Sequence, residues 1–212
     1  AREVVLGLLA AGKDVVTANK ALLAAHGPEL FDAAREAGRT IAFEAAVAGG
    51  VPIISNLSQC LGANQIESLT GILNGTCNFI LGKMHDEGVP YSEVIAEAQR
   101  LGYAEADPAM DVDGTDTAQK LALLAPLAFG ARPKWEALPR TGIDTLNLAD
   151  VQMAQELGYT IKLLGVAQLT PVTSKGGGLQ LSVGPTLVRN GSPMADVPGP
   201  MNAVRVTADA VG

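Results

Sequence analysis

Asp14-Val15-Val16-Thr17-Ala18-Asn19-Lys20 reads as a short β-branched strand that turns directly into a helix, and the architecture follows from it. Before it, Glu3–Ala11 has helical spacing and stops at Gly12, a favourable residue just past a helix end. After it, residues 19–37 predict a helix broken near His26-Gly27-Pro28 and stopped by Gly38. Thr40–Ala45 then predicts a second strand running into the loop Val47-Ala48-Gly49-Gly50. Helix, strand, helix, strand is half of a parallel α/β unit that begins without its earlier strands. In open sheets of this kind the carboxyl ends of the strands face the ligand crevice, which places Lys20 where it can hold a phosphate or a carboxylate. An ordinary helix-start lysine is the alternative.

Beyond Val51 the pattern changes. A helix is expected from Pro52 to Leu61, a strand over 65–73, and a helix opened by Asn74-Gly75-Thr76 and running through His85. Ser92 is expected to cap a helix over 93–101, and Asp113 another over 114–129; a shorter helix covers 150–157. Strands follow at 160–169, 179–183 and 203–208, with Pro and Gly between them. The expectation is an α+β region with helices covering one face of a mainly antiparallel sheet.

Composition narrows the function. Of the 212 residues, 48% are apolar and 17% charged, well below the usual charged share of about 25%. A mean hydropathy of +0.23 argues against disorder, and a net charge of −7 argues against nucleic acid as a partner. No apolar run approaches the roughly 18 residues of a membrane span. Cys60 and Cys77 form neither a disulfide framework nor a zinc pattern, and free thiols in a reducing cytosol are the plain reading. The opening Ala1-Arg2-Glu3 reads as the middle of an element, so a fragment of a longer protein is expected.

The densest ionisable cluster is Glu105, Asp107, Asp111, Asp113 and Asp116, followed by Lys120. Asp116 and Lys120 are four apart on an expected helix and share a face beside Leu121, Leu123 and Leu124. A lysine against apolar surface has its ammonium form disfavoured, which suits general acid–base work. A solvated acidic loop with a surface ion pair is the bland alternative. Asp111-Val112-Asp113-Gly114 supplies only part of a calcium loop, which is rejected. Cys77 at a helix start raises an acylating aldehyde dehydrogenase, but neither His26 nor His85 has a supporting motif, and a core cysteine is the better reading. Glu44 to Pro52, with Gly49 and Gly50, is either a plain turn or a carbonyl-lined cation loop. The dinucleotide fingerprint is absent: Gly176 and Gly178 share its first spacing, but Leu181 holds the third place.

Five segments in order closely resemble the homoserine dehydrogenase family: Val16-Thr17-Ala18-Asn19-Lys20; Phe43-Glu44-Ala45 with Gly49-Gly50-Val51-Pro52; Asn74 to Leu81; Leu101-Gly102-Tyr103-Ala104-Glu105-Ala106-Asp107-Pro108; and Asp113-Gly114-Thr115-Asp116 with Lys120. The resemblance covers nearly the whole chain. It implies a Rossmann-like remnant over 1–50, the end of an incomplete nucleotide-binding domain, and an α+β substrate-binding and dimerisation domain over 51–212. It implies interconversion of L-homoserine and L-aspartate 4-semialdehyde with NADP or NAD, in a cytoplasmic homodimer. In the implied site Lys120 is the proton donor and acceptor, and Glu105, Asp116 and Lys20 hold substrate. Ala18, Lys20 and Gly102 lie by the cofactor. Glu44, Val47, Gly49 and Val51 match a sodium site built mostly from carbonyls. Because the family's glycine-rich phosphate loop has no match here, negligible turnover by this chain alone is expected. Another NAD(P)-dependent oxidoreductase of similar plan and a non-catalytic oligomerisation module are the alternatives.

Overall fold

The computed structural model describes residues 1–173 and 176–210; positions 211–212, the end of the expected second domain, lie outside the described residues. α1 (Arg2–Ala10) leads through Gly12, whose φ of +71° suits a residue without a Cβ, into β1 (Val15–Val16). α2 (Lys20–Glu36) follows, and β2 (Ile41–Ala42) lies parallel to β1, with Val15 opposite Ile41. The expected parallel pattern is present, but its strands contract to two residues each. After Ala42 the chain turns at Phe43 into a single 3-10 turn, Glu44–Ala46, which ends the ladder.

The break expected at His26-Gly27-Pro28 is absent: α2 runs straight through Pro28. Its buried stripe of Leu22, Leu23, Gly27, Leu30 and Ala34 faces the contacts of α2 with α1 and with the later helix Thr115–Phe129. Burying a leucine stabilises by roughly 1.5–3 kcal/mol, so Leu23 and Leu30 together outweigh the roughly 3 kcal/mol cost of an interior proline.

α3 (Ile53–Ser55) continues into a π-helical turn, Asn56–Cys60, and β3 (Ile66–Ile72) follows. α4 (Gly75–Glu87) is capped by Asn74, as its sequence suggests. α5 (Tyr91–Arg100) starts earlier than expected, so Ser92 lies inside its first turn and Pro90, which brings no side-chain cap, precedes it. The acidic stretch holds one short turn, α6 (Ala109–Val112). α7 (Thr115–Phe129) begins after Gly114, whose φ of +86° excludes most side chains. Asp113 still serves this helix start, accepting from Thr115 N at 2.8 Å and Thr115 Oγ1 at 3.0 Å. α8 (Leu148–Glu156) carries a reciprocal cap between Asn147 and Asp150.

β4 (Tyr159–Thr173), β5 (Gly176–Arg189) and β6 (Ala203–Ala208) complete an antiparallel sheet in the order β5-β4-β3-β6. The β4–β5 hairpin is much longer than the runs expected at 160–169 and 179–183. Pro185 falls in the gap expected after residue 183, yet it sits opposite Leu163 on the edge strand, where proline is tolerated.

α4, α7 and α8 pack on β4, and α7 also reaches β3. Gly165 lies opposite Gly71, and a Cβ at Gly165 would come 3.2 Å from Thr117 Cγ2, so α7 sits close against bare backbone. That approach sets the start of α7 beside the end of β3. The α2–α7 contact brings in the residues after β1. Between α2, β2 and α7 lies a cavity of about 1050 Å³, floored by Leu23, Phe31, Phe43 and Leu127 and edged by Arg35, Arg39, Arg132, Lys134 and Glu136. Val4 and Leu8 of α1 and Val16 of β1 are exposed, Val16 by 86%. Among the described residues no helix is long and apolar enough to cross a membrane.

Candidate active site

Helical spacing puts Asp116 and Lys120 one turn apart on α7, and the structure pairs them: Lys120 Nζ lies 2.8 Å from Asp116 Oδ2. Neither is a surface group, with side chains 16% and 7% exposed. Lys120 also donates to the carbonyl of Leu73 at 2.6 Å, at the end of β3. From the first turn of α2, Lys20 reaches the other oxygen, Asp116 Oδ1, at 3.0 Å. α2 is held at that place by Asn19, whose side chain accepts from Leu22 N at 3.0 Å. Asn74 Nδ2 completes the set, 3.0 Å from Asp116 Oδ2. Burial opposes the charged form of Asp116, but Lys120, Lys20 and the Asn74 amide outweigh it and hold the carboxyl below the usual carboxylate range.

Glu105 stands apart from this cluster. It is exposed on the segment between α5 and α6, and among the described residues it forms no ion pair with Lys20 or Lys120. Its link is indirect: it shares an acidic segment with Asp111, whose Oδ1 lies 3.5 Å from Asn74 Nδ2. Burial, and then the charge of Asp116, push the Asp111 carboxyl up. Thr76 Oγ1 donates to Tyr103 O, tying this acidic segment to the first turn of α4.

Gly102 ends α5 with φ +76° and faces open space, with nothing within 4 Å of where a Cβ would lie. Ala18, exposed, accepts from Lys20 N at 2.9 Å.

Cys77 is a core residue. Its N–H donates to Asn74 Oδ1 at 2.7 Å and its Sγ to Asp111 O at 3.1 Å. Burial pushes the thiol up, the opposite of what an acylating nucleophile needs.

The loop matched to a sodium site is built differently from a carboxylate site. Glu44 spends its carboxylate on the start of α3, accepting from Ile54 N at 2.8 Å, Ser55 N at 3.0 Å and Ser55 Oγ. Val47 is buried, and Ala48 and Gly49 take consecutive left-handed conformations, with φ of 56° and 55°. Val51 O accepts from Ile53 N at 2.8 Å. Among the described residues no group of three His, Cys, Asp or Glu side chains could hold a metal. The donors that remain for a cation are main-chain carbonyls.

Sequence reasoning paired Asp116 with Lys120 through the helical period and set Lys20 at a strand end. It missed Leu73 O and the contact of Asn74 with Asp116. It also missed Lys162, which is buried and donates to Asn78 Oδ1 at 2.9 Å and Val197 O at 2.8 Å. A lone lysine inside Ile161-Lys162-Leu163-Leu164 was the available signal.

Comparison with known proteins gives the family of the chain. A homoserine dehydrogenase family model matches residues 52–212, and the model of the homoserine dehydrogenase NAD binding domain matches residues 1–44. Over 212 residues the chain is 52% identical to homoserine dehydrogenase of Pseudomonas aeruginosa and 48% identical to that of Synechocystis sp.. It covers 48% and 49% of those proteins, so it spans about half the length of the curated relatives it matches. The crystal structure of a homoserine dehydrogenase from Thiobacillus denitrificans matches with a TM-score of 0.94 and 51% identity, covering all of this chain and 48% of that one. A hyperthermophilic archaeal homoserine dehydrogenase in complex with NADPH matches at 0.81 and 31% identity, over 60% of its chain. With both family models matched in order and the paired Asp116 and Lys120 at the centre of the matched region, the chain belongs to the homoserine dehydrogenase family.

Proposed function

We propose that this chain carries the proton-transfer and substrate-holding part of an NAD(P)-dependent oxidoreductase that interconverts L-homoserine and L-aspartate 4-semialdehyde, within threonine, methionine and isoleucine biosynthesis. One observation carries the reading: a buried carboxylate, Asp116, divides its two oxygens between Lys120 and Lys20. A non-catalytic oligomerisation module would be favoured by Glu105 and Lys120 lying far apart on open surface; Lys120 is instead largely buried beside Asp116, while Glu105 is exposed and outside the cluster.

In the oxidising direction Lys120, as the neutral amine, takes the proton of the substrate hydroxyl while the oxygen keeps its electron pair and forms the carbonyl. The nicotinamide, when bound, accepts the hydride that leaves the same carbon. The ammonium so formed on Lys120 faces ionised Asp116 and the Leu73 carbonyl, which stabilise it without rearrangement. In reverse, the Lys120 ammonium returns the proton to the aldehyde oxygen. Lys20 and the carboxylates of Asp116 and Glu105 would hold the substrate's polar groups, and Ala18, Lys20 and Gly102 would hold the nicotinamide end of the cofactor. A sodium ion would sit on the carbonyls of Glu44, Val47, Gly49 and Val51.

The same reading makes the protein a cytoplasmic homodimer acting on a small molecule, with neither nucleic acid nor membrane as a partner. It divides the chain into nucleotide-binding residues 1–50 and catalytic and dimerisation residues 51–212, which the two family matches support. The test is a chimera in which residues 1–212 replace the matching segment of the Pseudomonas aeruginosa relative. It should oxidise homoserine, and Lys120→Ala should lower kcat by about 10²–10⁴-fold with a much smaller change in KM. Turnover within tenfold of the parent chimera would mean that another group moves the proton.

A further inference from the structure

Asn74 does more than start a helix. It is 4% exposed, it caps α4, and it is the residue between the carboxylates of Asp111 and Asp116. Its side-chain oxygen accepts from Cys77 N at 2.7 Å, so its NH₂ must face the other way. On that side Asp116 Oδ2 is 3.0 Å away and Asp111 Oδ1 3.5 Å. Rotating the amide by half a turn would aim its oxygen at two acids and its NH₂ at a backbone N–H, losing every bond at once. The helix start therefore dictates which end of the amide the carboxylates meet.

We propose that Asn74 is a positioning residue whose amide, locked end-for-end by the start of α4, separates Asp116 from Asp111 and holds Asp116 between Lys20 and Lys120. Two carboxyl groups brought together in a partly buried site ordinarily share a proton, and one loses its charge. Here the amide donates toward both and prevents that sharing. The preceding residue, Leu73, holds Lys120 through its carbonyl, so two consecutive residues fix both partners of the ion pair. The charged and titratable groups around the pair are Lys20 of α2, Lys120 of α7, Glu105 and Asp113 on either side of α6, and Cys77 of α4. With the amide in place, Asp111 is the first of the two acids to take a proton as pH falls, and Asp116 stays charged opposite Lys120.

The proposal deepens the functional reading above, and its test does not depend on turnover. The carboxyl ¹³C signals of Asp111 and Asp116 are titrated in the 212-residue chain and in Asn74→Asp and Asn74→Ser. Each substitution retains an oxygen that can cap α4 and removes the NH₂. The expected result is an upward move of the Asp116 titration by about one pH unit or more, the size of a lost hydrogen bond to a charged group. Should Asn74→Asp fail to fold, Asn74→Ser carries the measurement. A lower melting temperature with the Asp116 titration unmoved would reduce Asn74 to a helix cap and overturn the proposal. A moved titration in a chain whose chimera oxidises no homoserine would leave the positioning role standing and sink the proposed function instead.

Discussion

Lys162 Nζ, near the start of β4, and Asn78 Oδ1, from α4, lie 2.9 Å apart, and both residues are buried. The amide of Asn78 in turn donates to Val197 O at 3.1 Å and Gly199 O at 2.8 Å, and Lys162 reaches Val197 O as well. An otherwise irregular segment before β6 is thus clamped onto α4.

Replacing Lys162 by Met should expose what the clamp is worth. It leaves the buried Asn78 Oδ1 short of a donor, at about 1–3 kcal/mol, and takes from Val197 O one of its two donors, partly offset by removal of a buried charge. A net loss of about 2 kcal/mol is expected from urea unfolding. Burial holds the Lys162 ammonium below its ordinary value, despite opposing help from Asp86 and Asp196. Between that lowered value and the unfolded one near 10.5, the unfolded chain binds more protons, so stability rises with pH. Lys162→Met should lack this rise; an unchanged alkaline slope would contradict the assignment.

Asp116 titrates with the opposite sign. Its carboxyl is held below 3.8 in the fold, so its stabilisation is present above that value and is lost as pH falls through the lowered one. Asp116→Asn leaves Lys20 and Lys120 facing a neutral amide, and a loss of about 3 kcal/mol near neutral pH is expected. Acid unfolding followed by circular dichroism should therefore begin at a higher pH in the variant, which enters the acid range with less stability to lose. Equal onsets would show that the pair is solvent-screened.

Two glycines should respond very differently to alanine. A Cβ on Gly75 would fall 2.4 Å from Pro200 O, which belongs to the clamped segment and cannot give way cheaply. Gly75→Ala should cost about 2–3 kcal/mol through this overlap. Gly102 has open space around it, so Gly102→Ala should cost only the left-handed strain of about 1–2 kcal/mol. In the chimera, a change in KM for the dinucleotide on Gly102→Ala with kcat kept would support the placement of Gly102 beside it.

The loop after β2 separates two roles for Glu44. Glu44→Gln removes the charge that accepts the first N–H groups of α3, and a loss of about 1 kcal/mol is expected. A cation held by carbonyls is indifferent to this change. The extra thermal stability in sodium chloride over tetramethylammonium chloride should therefore survive in the variant. Its disappearance would make the carboxylate a ligand.

Periodicity made Asp116 and Lys120 legible, because two residues four apart on one helix must meet. Strand-end logic made Lys20 legible. The position of Glu105 was not, since it depends on how an irregular segment is anchored through Thr76 and Asp111. Pro28 and Pro185 misled for a shared reason: each is a local breaker, overruled in one case by a buried helix stripe and in the other by an edge strand. Asn74 was legible as a cap, but its second bond comes from a helix 42 residues away, and no local pattern carries that.

The cavity between α2, β2 and α7 has a practical consequence. An apolar floor under a rim of arginines and a lysine is the chemistry that takes up aromatic sulfonate dyes, and about 1050 Å³ accommodates one. Such fluorescence is commonly read as a sign of a molten state with loosened packing. In this chain the native fold itself should light the dye, with near-ultraviolet dichroism intact. Dye-based melting curves would then start from a high baseline and under-report the transition, so tertiary-structure signals are the sounder measure of unfolding.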